Sequence, residues 1–260
     1  CGASLNARPT RPGTVRPSIS IHDPDPLRSG FGFRRFVMEI AVLAAMVFTL
    51  SASSSLAQTY LARIRDAAFQ KDRSHFRSNL ERLGQIMAYE ISKALPSHQR
   101  TVETPLGRAT VSEPSAHPVL VCVLRAGIPY FQGFSDYFDQ SDCAFIGAYR
   151  GKEDEKHLFD IELDYMAAPA LGGRGVILVD PMLATGKSVV KACQALARYG
   201  TPAYLHIASV IAAPEGIRYV EKHLPHAGIW TGCIDEGLNE HAYIVPGLGD
   251  AGDLAFGPKL

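Results

Sequence analysis

The sequence lacks the extremes that would assign a class at once. Its five cysteines (Cys1, Cys122, Cys143, Cys193, Cys233) are scattered with no CxxC pair, which argues against a disulfide framework or a zinc knuckle. That cysteine usage fits a reducing compartment, and a cytoplasmic location is expected. No sign of charge is in excess, since Lys plus Arg is 26 and Asp plus Glu is 26. A balanced chain gives no global attraction for nucleic acid or an anionic membrane surface, so neither is an expected partner. The longest candidate membrane run, residues 40–50, has eleven residues, against the roughly 20 that a span needs. What remains is 260 residues, 47 % hydrophobic and 20 % charged. That is an ordinary globular chain, neither wholly disordered nor a coiled coil, long enough for one large domain or two small ones.

Two regions divide it. Residues 1–37 carry Arg8, Arg11, Arg16, Arg28, Arg34 and Arg35 against Asp23 and Asp25, with frequent Pro and Ser and no apolar periodicity. They read as a flexible basic leader. Met38 follows, and one explanation is that the natural start is Met38 and the leader an artefact of translation start. Residues 38–260 then form the folded domain. Arg34-Arg35, the apolar run 40–50 and Ser55-Leu56-Ala57 follow the order of a signal peptide. Glu39 interrupts the approach to that run, so a buried strand or helix start, followed by a Ser-rich helix cap, is the preferred reading.

Leu56, Tyr60, Leu61, Ile64 and Ala68 recur at helical spacing. A second helix, capped by Ser74, carries Phe76, Leu80, Leu83, Met87, Ile91 and Leu95 and ends at Pro96. Residues 101–111 read as a hairpin around Pro105-Leu106-Gly107. Short apolar runs follow at 119–124, 144–149, 161–166, 176–179, 204–212 and 229–234, with a charged loop tip at 151–157. A helix runs from the loop after 179 to Tyr199, with Gly200 as its stop. Such alternation implies an α/β fold with a mostly parallel sheet and crossover helices. Ligands bind at the carboxyl ends of such strands, so the loops near 125, 150, 180 and 235 are the ones to inspect.

The loop after 176–179 reads Asp180-Pro181-Met182-Leu183-Ala184-Thr185-Gly186-Lys187-Ser188. A strand, a turn of small residues and a helix start make an anion site from unpaired N–H groups and the helix dipole. Thr185 and Ser188 add hydroxyl donors, and Asp180 is placed for sugar hydroxyls or a hydrated metal. Gly186-Lys187-Ser188 matches the end of a Walker A motif, but Pro181 stands where its first glycine belongs. A helix cap without ligand is the bland alternative. Arg125 and Arg150 follow the runs 119–124 and 144–149, where a guanidinium could grip diphosphate oxygens bidentately. A lone Arg there is more often a surface ion pair, whereas two beside a phosphate loop favour the ligand reading. His206, in an apolar strand, reads as a structural histidine. Asp235 and Glu236 would act through a metal or support the loop that follows them.

Residues 176–188, with DPMLATG, resemble the ribose-phosphate loop of the uracil phosphoribosyltransferases. Residues 233–257, CIDEGLNEHAYIVPGLGDAGDLAFG, resemble that family's uracil-binding segment. LRAG at 124–127 and AYR at 148–150 extend the likeness from about Met38 to Leu260. It implies a Rossmann-like phosphoribosyltransferase fold with a hairpin arm and a C-terminal base-binding hood. It implies a pentosyltransferase of pyrimidine salvage that joins uracil to 5-phosphoribosyl diphosphate, giving UMP and pyrophosphate. Arg125, Arg150, residues 180–188 and Asp250 would hold the phosphoribosyl diphosphate, with Arg125, Arg150 and Asp250 taking part in catalysis. Tyr243, Ile244, Gly249, Asp250 and Ala251 would hold uracil. Mg²⁺ would arrive with the diphosphate, near Asp180, without direct protein ligands. A homodimer is implied, with the hairpin at 101–111 or 151–166 as an exchanging arm. GTP is an effector in some members. Lys187 departs from the family's usual small residue. A rival is a pyrimidine-sensing, RNA-binding regulator of the same fold without salvage activity; the balanced charge beyond residue 37 argues against it.

Overall fold

The computed structural model describes residues 46–153 and 159–259, with the side chains of 149–153 and 159–162 outside that description. The basic leader, the expected domain start at Met38 and most of the run 40–50 lie outside the described residues. In chain order the elements are β1 (Val47–Thr49), α1 (Leu56–Arg65), α2 (Arg73–Ser92), β2 (Ser97–Thr104), β3 (Gly107–Pro114), β4 (Val119–Leu124), α3 (Gly127–Tyr137), β5 (Cys143–Glu153) and β6 (Phe159–Ala167). They continue with β7 (Gly175–Val179), β8 (Met182–Leu183), α4 (Lys187–Leu196), β9 (Tyr204–Ala212), α5 (Pro214–His223), β10 (Ala227–Ile234), β11 (Gly237–Leu238), β12 (Ile244–Val245) and α6 (Ala251–Phe256).

The central sheet has the order β1-β10-β9-β7-β4-β5-β6, with β8 added to β9. Its pairings are parallel except for β5 with β6. The apolar runs are continuous because both faces are covered. Leu120, Cys122, Ile177 and Val179 point into one core, shared with α1, α2, α3 and α6. Val119, Val121, Val123, Val176 and Leu178 point into the other, shared with α4 and α5. β4 therefore hands the chain to a helix on one face, and β7 to a helix on the opposite face. A crevice opens at the carboxyl ends of these neighbouring strands.

Several expectations need correction. Asp72, not Ser74, caps α2, and its side chain accepts from Ser74 N and His75 N. A carboxylate one position before the helix satisfies two orphan amides at once. The helix stops at Ser92 rather than Leu95, and the chain tightens over Lys93–Leu95 into bonds to the carbonyls three residues back, ahead of Pro96, which has no N–H to continue the ladder. The helix expected over 56–69 breaks at Arg65, where Asp66 Oδ1 accepts from the amides of Ala68 and Phe69. The charged tip expected at 151–157 is strand through Glu153, and 154–158 lie outside the described residues. β2 and β3 form the expected hairpin as a separate exposed sheet. His206 is structural as expected: Trp230 Nε1 donates to its Nδ1 at 3.1 Å, and burial lowers its pKa to about 4.

The crossing of α2 and α3 brings backbone against backbone. A Cβ on Gly84 would fall 2.1 Å from the Tyr130 carbonyl oxygen, and one on Gly133 would fall 2.1 Å from the Glu81 carbonyl oxygen. Backbone cannot step aside as a side chain can, so an added methyl forces the helices apart and opens the core beneath them. Gly84→Ala and Gly133→Ala are each expected to cost about 2–3 kcal/mol, a Tm loss of roughly 5–10 °C in thermal denaturation. Two variants that melt with the wild type would show that this contact does not fix the crossing.

Candidate active site

A cavity of about 440 Å³ lies at the carboxyl ends of β4 and β7. That volume is in the range of small-molecule sites. Three separate stretches of chain converge on it. The first is the turn after β7. Asp180 and residues 182–188 line the cavity, whereas Pro181 is buried and is not part of the wall. The Pro181 carbonyl instead accepts from the amides of Val210 and Ile211 on β9, which pins the turn to the sheet.

Gly186 caps α4 at φ +75°. A Cβ there would also approach the Gly216 carbonyl oxygen at 2.7 Å, so only glycine lets the turn lie on the start of α5. Lys187 N donates to Thr185 Oγ1 at 3.4 Å. The other amides of the first turn of α4 have no acceptor within the helix, and their residues form the cavity wall. The arrangement can bind an anion through backbone amides, two hydroxyls and the Lys187 ammonium.

The second stretch is the end of β4. Arg125 lines the cavity, and its Nη2 donates to Asp253 Oδ1 at 3.2 Å and to the Gly257 carbonyl at 3.3 Å. The Leu124–Arg125 peptide is cis. Leu124 pairs with Gly147, so β5 continues past the end of β4, carrying Arg150 opposite Ile161. The side-chain role expected of Arg150 lies outside the described residues.

The third stretch is the C-terminal segment. β11 and β12 pair antiparallel, and Asn239 Oδ1 shapes their connection by accepting from His241 N and Tyr243 N. Tyr243, Ile244, Gly249, Asp250 and Ala251 all line the cavity. Ile244 is buried and Tyr243 is exposed. Asp250 caps α6, its Oδ1 accepting from Asp253 N at 2.9 Å. Asp235 supports this segment: its Oδ2 accepts from Gly247 N at 2.8 Å. The segment was expected to be loop, and the short helix within it was not foreseen.

Sequence reasoning also missed Lys259, which lines the same cavity as Arg125. The available signal was a lone cation directly after a segment already assigned to ligand. Among the described residues no group of three His, Cys, Asp or Glu side chains is placed to hold a metal ion. Nor, among them, is any helix long and apolar enough to cross a membrane.

A family model described as uracil phosphoribosyltransferase matches residues 51–258. A uracil phosphoribosyltransferase from Porphyromonas gingivalis is 47 % identical over 215 residues, which cover 82 % of this chain and 99 % of that protein. One from Pyrobaculum arsenaticum is 42 % identical over 203 residues, covering 77 % of this chain and 94 % of that protein. Among solved structures, the AQ2163 protein from Aquifex aeolicus superposes with a TM-score of 0.72 at 30 % identity, covering 82 % of this chain and 98 % of that one.

The electrostatics of the cavity turn on Asp180. Burial raises its pKa to about 7, only partly offset by the hydrogen bond from Met182 N at 3.4 Å. The folded state thus holds a proton here that the unfolded chain has released, and stability falls as pH rises from about 4 to about 7. Asp180→Asn removes that loss. It is expected to raise Tm by roughly 3–6 °C at pH 8 and to leave it unchanged near pH 4. An equal shift at both pH values in a melting series would contradict a raised carboxyl pKa.

Proposed function

The chain belongs to the uracil phosphoribosyltransferase family, and from that premise we propose that it joins uracil to 5-phosphoribosyl diphosphate, giving UMP and pyrophosphate. The observation that carries the proposal is the convergence on one cavity of the 182–188 turn, Arg125 and the 243–251 segment. A phosphate site, a diphosphate cation and a wall of fixed peptide groups are the three things this substrate pair needs.

In this reading the turn holds the 5′-phosphate through the amides of α4, Thr185 and Ser188. Arg125 and Arg150 take the diphosphate, the leaving group whose charge grows as the glycosidic bond breaks. The ribose carbon passes through an oxocarbenium-like state, so catalysis is chiefly charge stabilisation and positioning. The buried Ile244 side chain and the peptide groups of Gly249–Ala251 hold the flat, imide-bearing base with its N1 toward that carbon. No general base is assigned on the base side, since Asp180, with its raised pKa, belongs to the phosphate turn, and the N1–H of uracil is acidic enough to need little help. Asp250 is the candidate helper on the base side, where Glu240 also lines the cavity.

Mg²⁺ supplies charge neutralisation of the diphosphate when it enters with that substrate. Asp180 fits a hydrated ion rather than a direct ligand, since among the described residues it belongs to no group of three His, Cys, Asp or Glu side chains placed to hold one. A homodimer, with the exposed β2–β3 hairpin as the exchanging arm, a cytoplasmic setting and GTP as a candidate effector complete the proposal.

UMP formation from uracil, 5-phosphoribosyl diphosphate and Mg²⁺ is the direct test, with orotate, hypoxanthine and cytosine as control bases. Turnover with uracil alone is expected. Turnover with none of the bases, in protein that still binds UMP, would overturn the enzyme reading in favour of a sensor and make RNA binding the next measurement. Lys187→Gly is expected to raise the KM for 5-phosphoribosyl diphosphate about threefold, the scale of one partly exposed charge, with the KM for uracil unchanged. An unchanged KM for the diphosphate would place the ammonium in solvent.

A further inference from the structure

Arg65, the last residue of α1, and Asp235, just past β10, form a forked ion pair. Arg65 Nη1 donates to Asp235 Oδ2 at 3.0 Å and Nη2 donates to Oδ1. The Asp235 side chain is only 4 % exposed and that of Arg65 is 23 % exposed. Both partners also reach the same peptide unit. Gly247 N donates to Asp235 Oδ2 at 2.8 Å, and the Gly247 carbonyl accepts from Arg65 Nη1 at 3.3 Å. Arg65 Nη2 further contacts Cys233 Sγ at 2.8 Å.

Gly247 sits three residues after Ile244 and two before Gly249, in the turn that joins the two parts of the base-side wall. Its φ of +59° and the 2.1 Å from an added Cβ to the Ile244 carbonyl oxygen leave only glycine for this turn. No side chain at 247 can anchor the turn, so its own N–H and C=O must. A buried ion pair adds little net stability over a well-packed apolar pair. An apolar pair could not, however, grip a peptide at both its donor and its acceptor.

We propose that Arg65 is a positioning residue for base recognition: through its fork with Asp235 it fixes the Gly247 turn and with it the Ile244 and Gly249–Ala251 groups. This rests on the assignment of that wall to uracil. Neither Arg65 nor Asp235 belongs to the cavity wall, so the effect passes through the turn and leaves the phosphate turn untouched.

The test compares wild type, Arg65→Met and Arg65→Lys in KM for each substrate, in Tm, and in amide hydrogen exchange. Arg65→Met is expected to raise the KM for uracil about tenfold, as displaced contact groups do, with the KM for 5-phosphoribosyl diphosphate within about twofold. The amides of 247–251 are expected to exchange at least about tenfold faster, while those of 182–188 keep their wild-type rates. Arg65→Lys keeps the charge but not the fork and should fall between the two; it carries the test if Arg65→Met does not fold. Equal rises in both KM values, or a lower Tm with the uracil KM unchanged, would overturn the proposal. If wild type makes no UMP, the activity reading fails on its own, and exchange still decides. Acceleration confined to 247–251 then supports the clamp, and uniform acceleration or none refutes it.

Discussion

A parallel sheet buried on both faces can offer polar groups to a ligand only at its strand ends. Here β4 and β7 are apolar along nearly their whole length because α1, α2, α3 and α6 cover one face and α4 and α5 the other. The charged groups nearest these two strands therefore stand at their carboxyl ends, where Asp180 and Arg125 follow directly on Val179 and Leu124. The divergence of α3 and α4 to opposite faces then keeps a helix from filling the space between those ends. The cavity follows from topology. Its chemistry follows from which residues stand one and two places past each strand.

Within that cavity charge is the governing quantity. Asp180 heads the turn proposed to hold phosphate, where an ionised carboxylate would oppose that ligand. Burial lifts its pKa to about 7, so the carboxyl is only partly ionised near neutral pH in the free protein. A cation entering with the diphosphate would favour the ionised form, and the same carboxyl would then attract what it otherwise repels. A site whose wall sets the desolvated Asp180 carboxyl among the cations of Arg125, Lys187 and Lys259 is thus suited to a polyanion that brings its own counterion.

How much of this was legible depends on the range of the interactions. The run 119–124 is strand because six apolar residues in sequence have one outcome when both faces are buried, and β4 has those bounds. The turn at 180–188 was legible as a strand-to-helix turn at a cavity wall because it is made from neighbours in sequence. α5 is marked by Pro214 at its first position, Glu215 in its first turn and Ile217 and Val220 on its buried face, a short pattern easily lost between two strong strands. α6 was hidden because Gly252 and the glycines before it read as loop, and its six residues form a helix only with Asp250 as a cap and the core beneath Ala251 and Ala255. Arg65 could not be found at all from local pattern. Its partner is 170 residues away, and nothing in a helical face reveals which end residue will be bent toward a distant carboxylate.

α6 links the two halves of the proposed site. A helix of six residues has no independent stability, and here both ends are held by groups that border the cavity or lie next to it. At its start the Asp250 carboxylate caps the amide of Asp253. At its end Arg77 donates to the Ala255 carbonyl at 2.7 Å and Arg125 to the Gly257 carbonyl, cations at the negative pole of the dipole. Arg125 therefore has two partners available, the end of α6 and whatever anion enters. Its pair with Asp253 is long, at 3.2 Å, and about 40 % exposed on both sides, a class of contact worth about 0–1 kcal/mol. A diphosphate can displace that carboxylate at small cost, while Arg77 continues to hold the helix. The arginine is thus oriented before the ligand arrives by contacts weak enough to give way, and α6 keeps its place when they do, because its Asp250 cap and its Arg77 contact do not depend on that exchange.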